Sequence, residues 1–246
     1  MARQSRPPTI LLTRPLPQSQ RFAGLLRARW PDVAVVISPL MATEYLQPDL
    51  PNRNFAAIVL TSETGAEAAR RISAAGVGLP KLAYCVGDRT ALAAKTAGFQ
   101  AQSAQGDADT LVARILSNPP LGPVLFLRGT DTTGNIADRL NAANIETVSA
   151  VVYTQSGRPL SEEAKQLLRE TEPVIVPLFS PRSARIFSTE RSQGRTVAPL
   201  WVAALSPVVA AVAIDLVPAL MCTAKRPDAA AMLDAIAALI ADGMGS

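Results

Sequence analysis

Short apolar runs alternate with amphipathic stretches along most of the chain. Ile10–Thr13 is an apolar run typical of a buried strand, and Gln18–Arg29 follows with helical spacing through Phe22, Leu25 and Leu26. The same alternation recurs down the sequence, so the pattern predicts strands joined by helices. Such an order forms parallel sheets flanked by helices, which places the chain in the α/β class.

The predicted strands are compact apolar runs bounded by small or polar residues: Ile10–Thr13, Val33–Ile37, Ala56–Leu60, Leu82–Val86, Val124–Leu127, Thr147–Tyr153, Val174–Phe179, Leu200–Leu205 and Leu220–Thr223. The predicted helices are the amphipathic stretches between them: Gln18–Arg29, Thr64–Ala74, Thr90–Thr96, Asp107–Leu116, Thr133–Ala143, Glu162–Thr171, Pro181–Thr189 and Pro207–Asp215. A closing helix is predicted to begin at Pro227, because proline suits the first helical position, and to end near Ile240.

This order of elements occurs twice along the chain, as an internal repeat. The aligned segments are Thr9–Leu40 with Pro123–Thr154, Ile58–Ala69 with Val176–Phe187, and Ala83–Thr90 with Val202–Val209. The alignment places Arg14 over Arg128, Ser62 over Ser180, and Gly87 over Ser206. We infer a duplicated α/β unit and two similar lobes, and a cleft between lobes is a common place for a ligand.

The chain order predicts an inserted domain. Residues 1–39 and 155–246 form the first α/β domain, and residues 43–151 form the second. Two linker strands, at 38–43 and 151–155, join them. Lobes connected in this way can open and close on a ligand.

One apolar stretch has the length and hydrophobicity of a membrane span. Leu200–Cys222 carries Asp215 as its only charge, and about 20 apolar residues suffice to cross a bilayer. Pro207 and Pro218 interrupt the stretch, and it aligns with the soluble-looking Leu82–Ala101. We therefore predict a strand, a helix and a strand, and no membrane partner.

Composition excludes several kinds of site. The sequence contains no histidine, so Ser-His-Asp and Cys-His catalysis and His-containing zinc or haem sites are excluded. Neither a phosphate-binding P-loop nor a GxGxxG motif is present, so no nucleotide cofactor is predicted. The net charge of +4 is scattered, which favours a small anionic ligand over nucleic acid. Cys85 and Cys222 stand apart, and residues 1–9 lack an apolar signal core, so we expect a cytoplasmic protein.

Turns rich in glycine and hydroxyl residues follow the predicted strands. Helix N-termini at these places offer N–H groups to anions. The turns are Thr13-Arg14, Thr61–Thr64, Gly87–Thr90, Arg128–Thr130, Ser180–Ser183 and Ser206-Pro207. The simpler interpretation is that they are ordinary helix caps, with Ser62 or Thr64 capping its helix, and the two roles can coexist.

The ordered series of these motifs resembles the uroporphyrinogen-III synthase family over nearly the whole chain. The series runs Thr13-Arg14-Pro15, Leu60-Thr61-Ser62, Val86–Ala91, Leu127-Arg128-Gly129, Val152-Tyr153, Phe179–Ser183 and Cys222-Thr223-Ala224 before Pro227. The resemblance implies a two-lobed monomer that needs no cofactor. It implies a lyase that cyclises hydroxymethylbilane, a linear tetrapyrrole polycarboxylate, with loss of water and inversion of the last pyrrole ring.

The resemblance also assigns roles to residues. Tyr153 matches the tyrosine proposed to assist departure of the hydroxyl group. The expected substrate-binding residues are Arg14, Ser62, Thr64, Gly87, Thr90, Arg128, Gly129, Ser180, Ser183 and Ser206. Val208 and Val209 depart from the family, where threonines are usual, so that wall must bind through backbone groups or activity is altered. A non-catalytic, regulatory relative that binds a small anionic tetrapyrrole therefore remains the alternative.

Overall fold

The computed structural model describes residues 8–131, 135–194 and 196–244, in which strands and helices alternate. The strands are β1 (Thr9–Leu12), β2 (Val35–Ile37), β3 (Met41–Tyr45), β4 (Ala57–Leu60), β5 (Leu82–Cys85), β6 (Gln100–Ser103), β7 (Val124–Gly129), β8 (Thr147–Gly157), β9 (Val174–Leu178), β10 (Leu200–Ala204) and β11 (Leu220–Thr223).

The helices are α1 (Leu16–Arg29), α2 (Glu63–Ala74), α3 (Asp88–Thr96), α4 (Ala108–Ser117), α5 (Ile136–Ala142), α6 (Glu162–Arg169), α7 (Pro181–Ser192), α8 (Pro207–Ala213) and α9 (Ala229–Met244). A short 3-10 helix, Ile214–Leu216, follows α8. The chain divides into two compact units. Unit 1 comprises Met1–Ala42 and Gly157–Ser246, and unit 2 comprises Thr43–Ser156.

Unit 1 is built on a parallel sheet in the order β11-β10-β9-β1-β2. Successive residues of a strand point to opposite faces of a sheet. Leu11 accordingly packs with the apolar side chains of α6, α7 and α8. Ile10 and Leu12 pack on the other face with those of α1 and α9. Helices thus cover both faces of this sheet.

Unit 2 repeats this arrangement on the sheet β3-β8-β7-β4-β5-β6. Ile58 and Leu60 of β4 pack against α2 and α3, while Ala57 and Val59 pack against α4 and α5. The strands from β8 to β6 are parallel to one another. Both units therefore have parallel sheets flanked by helices, and the predicted α/β class is confirmed.

The strand orders follow the sequence repeat. The repeat equates β1 with β7, β2 with β8, β9 with β4, and β10 with β5, which leaves β11 equivalent to β6. Substituting these equivalents turns the order β11-β10-β9-β1-β2 into β6-β5-β4-β7-β8, which is the order found in unit 2 beside β3. Two sheets with one strand order are what a duplicated α/β unit predicts.

Several element boundaries differ from the predicted ones. Strand β2 begins at Val35, and α5 begins at Ile136; the predicted start of that helix, Thr133, lies outside the described residues. The closing helix begins at Ala229, so the prediction of Pro227 was wrong. The carboxylate of Asp228 accepts a hydrogen bond from the backbone N–H of Ala231 at 2.8 Å, and this cap fixes the start two residues later.

Strand β6 was not predicted, and β3 (Met41–Tyr45) overlaps only the end of the linker strand that was predicted at 38–43. The residues of β6, Gln100–Ser103, lack an apolar run because this strand is at the edge of its sheet. The prediction for Leu200–Cys222 is confirmed, since it forms β10, α8, the 3-10 helix and most of β11. None of the helices in the described part of the chain combines the length and hydrophobicity of a membrane span.

Candidate active site

The strand order of each unit defines one place where a ligand is expected. In open parallel sheets, ligands bind beyond the carboxyl ends of strands, where the chain order reverses direction. This switch point lies between β1 and β9 in unit 1 and between β4 and β7 in unit 2. The two switch points are equivalent under the repeat.

In unit 1, Arg14 follows β1 and lies against the residue that follows β9. Its guanidinium carbon is 4.0 Å from the centre of the Phe179 ring, and its Nε donates to Oε1 of Gln18 at 3.0 Å. A cation over an aromatic face is attracted by the ring quadrupole. Phe179 is itself held edge-on by Phe22, with the ring centres 5.1 Å apart. These contacts place Arg14 beside the turn that contains Ser180.

Ser180 caps α7 through a closed set of hydrogen bonds. Its Oγ accepts from the backbone N–H of Ser183 at 3.1 Å and lies 3.0 Å from the Ser183 hydroxyl oxygen. The Ser183 hydroxyl in turn donates to the carbonyl of Ser180 at 2.9 Å. The cap is thus satisfied within the turn, and Ser183 is buried.

Thr13, at the end of β1, carries the one buried side-chain oxygen or nitrogen atom that lacks a hydrogen-bond partner within the described residues. Its side chain is 1% exposed. Buried polar groups are normally paired, because an unpaired one retains the cost of its lost hydration. Thr13 was predicted as the last residue of the first strand and the start of the turn that follows it. It was given no role, since an unpaired buried hydroxyl has no sequence signal.

Ser206 caps α8, accepting from the backbone N–H of Val209 at 3.5 Å. The two valines that depart from the family pattern lie in the first turn of this helix. Val209 is buried, whereas Val208 is 66% exposed. The missing hydroxyl groups are therefore replaced by one core side chain and one exposed apolar side chain.

In unit 2, Ser62 caps α2 and contacts Tyr153. Its Oγ accepts from the backbone N–H of Gly65 at 3.0 Å, so Ser62 rather than Thr64 provides the cap. The same Oγ lies 3.0 Å from the phenol oxygen of Tyr153. Two residues that the sequence singled out separately, 91 positions apart, are therefore hydrogen-bonded neighbours. Thr64 is the second residue of α2 and is half-buried.

A β-bulge aims Tyr153 at Ser62. Arg128 of β7 pairs with Val151, but Gly129 pairs with Tyr153, so Val152 is an extra residue in β8. Strict alternation would turn residues 152 and 153 to opposite faces. The bulge instead allows Tyr153 to join buried Val152 in the core cluster on the α2 side of the sheet.

Gly129 leaves the space that the Tyr153 ring occupies. A β-carbon at Gly129 would lie 2.6 Å from the nearest ring carbon of Tyr153, closer than real β-carbons approach other atoms. The carbonyl of Tyr153 also accepts the backbone N–H of Thr130 at 3.0 Å. Glycine at the end of β7 is thus required by the aromatic ring on β8, rather than by an unusual backbone angle.

Arg128 bonds to backbone carbonyls, whereas its repeat equivalent Arg14 stacks on an aromatic ring. The Nη1 of Arg128 donates to the carbonyls of Gly129 at 3.1 Å and of Thr130 at 3.3 Å. These bonds fold the guanidinium over its own turn, so the two equivalent arginines have diverged. Both are half-buried and stand at the switch points, where a carboxylate would meet them.

Gly87 and Thr90 lie at the start of α3, one strand away from the switch point. Gly87 is the N-cap residue and supplies no side-chain acceptor, in contrast to the equivalent Ser206. Thr90 is only 5% exposed, so it packs within the first turn of α3. The structure therefore places these two residues one strand away from the Ser62–Tyr153 pair.

Tyr45 is a neighbour of this site that was not predicted. Burial raises the pKa of its phenol, with further contributions from Glu67 and from the nearby Tyr153. The guanidinium carbon of Arg71 lies 4.1 Å from the Tyr45 ring centre, and both residues line a cavity of about 310 Å³. Tyr45 stands in a polar stretch without strand-like periodicity, so its position on β3 could not be anticipated.

The comparisons with known proteins agree on one family. The sequence model of the family described as uroporphyrinogen-III synthase HemD matches residues 20–234. A search of curated protein sequences gave no significant match.

Among solved structures, the chain resembles uroporphyrinogen-III synthetase from Helicobacter pylori 26695. The identity is 16% and the TM-score 0.63, with 94% of this chain and 99% of that chain covered. A mutant uroporphyrinogen III synthase from the extremely thermophilic bacterium Thermus thermophilus is 14% identical with a TM-score of 0.48, covering 95% of this chain and 99% of that chain. The structural likeness concerns the fold, whereas the sequence match spans most of the chain. The chain belongs to the uroporphyrinogen-III synthase family.

Proposed function

We propose that the protein is a uroporphyrinogen-III synthase, which converts hydroxymethylbilane to uroporphyrinogen III with loss of water and inversion of the last pyrrole ring. The family match over residues 20–234 carries this proposal. The absence of histidine is compatible with it. Pyrrole nitrogen lone pairs expel the hydroxyl group, so the protein need only assist proton transfer and hold a conformation.

Tyr153 is the proposed proton donor to the departing hydroxyl group. The carbon–oxygen bond of the hydroxymethyl group breaks, and the oxygen leaves as water with the phenol proton. Ring closure later releases one proton from the attacked pyrrole carbon, which restores the phenol. The position of Tyr153 at the switch point of unit 2 supports this role, because its hydroxyl lies at the carboxyl ends of β4 and β7.

The turns of both units are the proposed binding sites for substrate carboxylates. Cationic side chains and helix N-termini bind carboxylates through charge-assisted hydrogen bonds. The residues assigned to this role are Arg14, Ser180, Ser183 and Ser206 in unit 1, and Ser62, Thr64, Gly87, Thr90, Arg128 and Gly129 in unit 2. The net charge of +4 is consistent with a polycarboxylate substrate.

The reaction class makes the protein a hydro-lyase, and we propose that it acts in the cytoplasm as a monomer without a cofactor. Two separate cysteines, Cys85 and Cys222, are compatible with a reducing compartment. Light scattering during size-exclusion chromatography measures the assembly. A mass near 25.9 kDa is expected, and a stable dimer would contradict the proposal.

The activity is tested by adding purified protein to hydroxymethylbilane generated enzymatically and separating the uroporphyrin isomers after oxidation. The type III isomer should dominate and should increase with protein concentration. Formation of the type I isomer alone, which arises spontaneously, would refute the activity. Binding of an inert tetrapyrrole in calorimetry without type III product would favour a regulatory relative.

A further inference from the structure

The two capping serines that the repeat equates have different partners. Ser180 directs its hydroxyl toward the hydroxyl of Ser183, at 3.0 Å. The equivalent of Ser183 in unit 2 is Gly65, which has no side chain. Ser62 therefore meets another partner, and its oxygen lies 3.0 Å from the phenol oxygen of Tyr153. The repeat places Pro39 opposite Tyr153, so a corresponding pair cannot form in unit 1.

The hydrogen-bond inventory of Ser62 is compatible with its hydroxyl being the donor in this contact, in which either oxygen atom can donate. A serine hydroxyl offers one proton and two acceptor sites. One acceptor site receives the backbone N–H of Gly65 at 3.0 Å. The hydroxyl proton can then be donated to the phenol oxygen. In that arrangement the phenol proton remains free to be given to another group, as a proton donor requires.

The geometry points to Ser62 as a positioning residue: we propose that its hydroxyl donates to the phenol oxygen of Tyr153 and so aims the phenol proton at the departing hydroxyl group of the substrate. This inference rests on the proposed function. It replaces the carboxylate-binding role expected for the Ser62 side chain. It also assigns the proton transfer to unit 2. Unit 2 has Gly65 and Tyr153 where the repeat places Ser183 and Pro39 in unit 1.

Three further observations support a built arrangement. The bulge at Val152 turns Tyr153 toward α2, and Gly129 admits its ring. Gly65 packs closely behind the contact, since a β-carbon there would lie 3.4 Å from Ser62 Oγ and 3.5 Å from the carbonyl oxygen of Leu127. Each feature alone has a local explanation, but together they leave the phenol directed at one hydroxyl.

The test compares four variants of the full chain: Ser62→Ala, Ser62→Thr, Tyr153→Phe and the double variant. Ser161→Ala is the matched control, because Ser161 caps α6 by accepting from Ala164 N–H at 3.2 Å and belongs to no site. It reproduces the loss of a serine cap without touching Tyr153. The kinetic constants kcat and KM are measured by formation of the type III isomer.

We expect Ser62→Ala to lower kcat about tenfold with little change in KM, because an interaction made mainly in the transition state is removed. Ser62→Thr keeps a hydroxyl and a good helix cap and should retain most of the rate. The double variant should be no slower than Tyr153→Phe, because Ser62 acts through Tyr153 and has no further effect once the phenol is gone. If Ser62 instead bound substrate independently, KM would rise and the two losses would multiply.

A second readout needs no substrate. The chain contains three tyrosines, so protein labelled with ¹³C at the phenolic carbon gives three signals, which Tyr→Phe variants assign. The Tyr153 signal should move in Ser62→Ala, stay in Ser161→Ala and return with Ser62→Thr, while Tyr84 serves as the reference. An unmoved Tyr153 signal in active protein would overturn the positioning role alone. Wild-type protein that forms only the type I isomer would refute the proposed function, and with it the role of Ser62 in turnover.

Discussion

The contacts of individual side chains determine where the proposed chemistry takes place, and most of these contacts could not be predicted from the sequence. Tyr153 and Ser62 could each be selected from their motifs, but their contact could not. It depends on a bulge that shifts pairing by one residue and on a glycine in a neighbouring strand. A one-residue shift reverses which face a side chain points to, and periodicity alone does not reveal it.

Thr13 gives a prediction about stability at the same scale. Its buried hydroxyl has no hydrogen-bond partner among the described residues, so Thr13→Val removes an unpaired polar group while keeping the side-chain shape. We expect urea denaturation to show a free energy of unfolding that is unchanged or raised by about 1 kcal/mol.

The matched control is Thr147→Val. Thr147 is also buried, but its hydroxyl donates to the carbonyl of Ile145 at 2.9 Å. This substitution should lower the free energy of unfolding by about 1 kcal/mol, because it leaves that carbonyl without its donor. Equal losses in the two variants would show that the Thr13 hydroxyl is paired.

The end of strand β7 carries the next prediction. Gly129→Ala would place a β-carbon 2.6 Å from the Tyr153 ring, so the ring must move away from Ser62. We expect thermal unfolding and urea titration to show a loss of about 1–3 kcal/mol from overpacking, and assays to show a lower kcat.

Gly157→Ala, at the far end of β8, controls for glycine replacement. A β-carbon at Gly157 would have no atom within 4 Å. This variant should keep the wild-type rate and a nearly unchanged stability. If Gly129→Ala behaved in the same way, the close approach of Tyr153 to β7 would be wrong.

Helix α2 carries a pH-dependent contribution to stability. Hydrogen bonds from Arg70 and then from Arg71, which lie about one helical turn further along, hold the pKa of the Glu67 carboxyl below its usual range. The folded state thus favours the charged carboxylate more than the unfolded chain does. The contribution is complete above the unfolded pKa of about 4.3 and is lost as the pH falls through the lower folded value.

The measurement is urea denaturation of wild-type protein and Glu67→Gln at pH 7 and again at an acidic pH where both proteins remain folded. The stability advantage of the wild type should shrink on acidification. An advantage that stayed constant would show that the carboxylate makes no net electrostatic contribution. Surface ion pairs of this kind are weak, so the comparison needs low salt.

At the scale of the whole molecule, the sequence repeat predicted more of the fold than individual segments did. The equivalence of β1 with β7 and of β9 with β4 correctly anticipates one strand order for both sheets. The edge strand β6 was missed, and the bounds of β3 were displaced from the linker strand predicted at 38–43, because edge strands are only partly buried and need no apolar run. The closing helix was wrongly predicted to begin at Pro227, because the side-chain cap at Asp228 outweighs the preference of proline for the first helical turn.

The proposed reaction needs no metal ion. The chain has no histidine, and no group of three or more metal-binding side chains lies within the described ranges. Prolonged dialysis against a chelator should therefore leave the rate of type III formation unchanged. A loss of activity that added zinc or magnesium restored would contradict a cofactor-free reaction.

The proposed role of Tyr153 as the proton donor to the departing hydroxyl group is tested most directly by the rate and the isomer composition of the product formed from hydroxymethylbilane. Wild-type and Tyr153→Phe protein are compared at equal concentration. We expect mainly type III product with the wild type and about a tenfold or greater loss in kcat with Tyr153→Phe, at unchanged folding by circular dichroism. Type I product alone from the wild type, or a wild-type rate from Tyr153→Phe, would contradict this role.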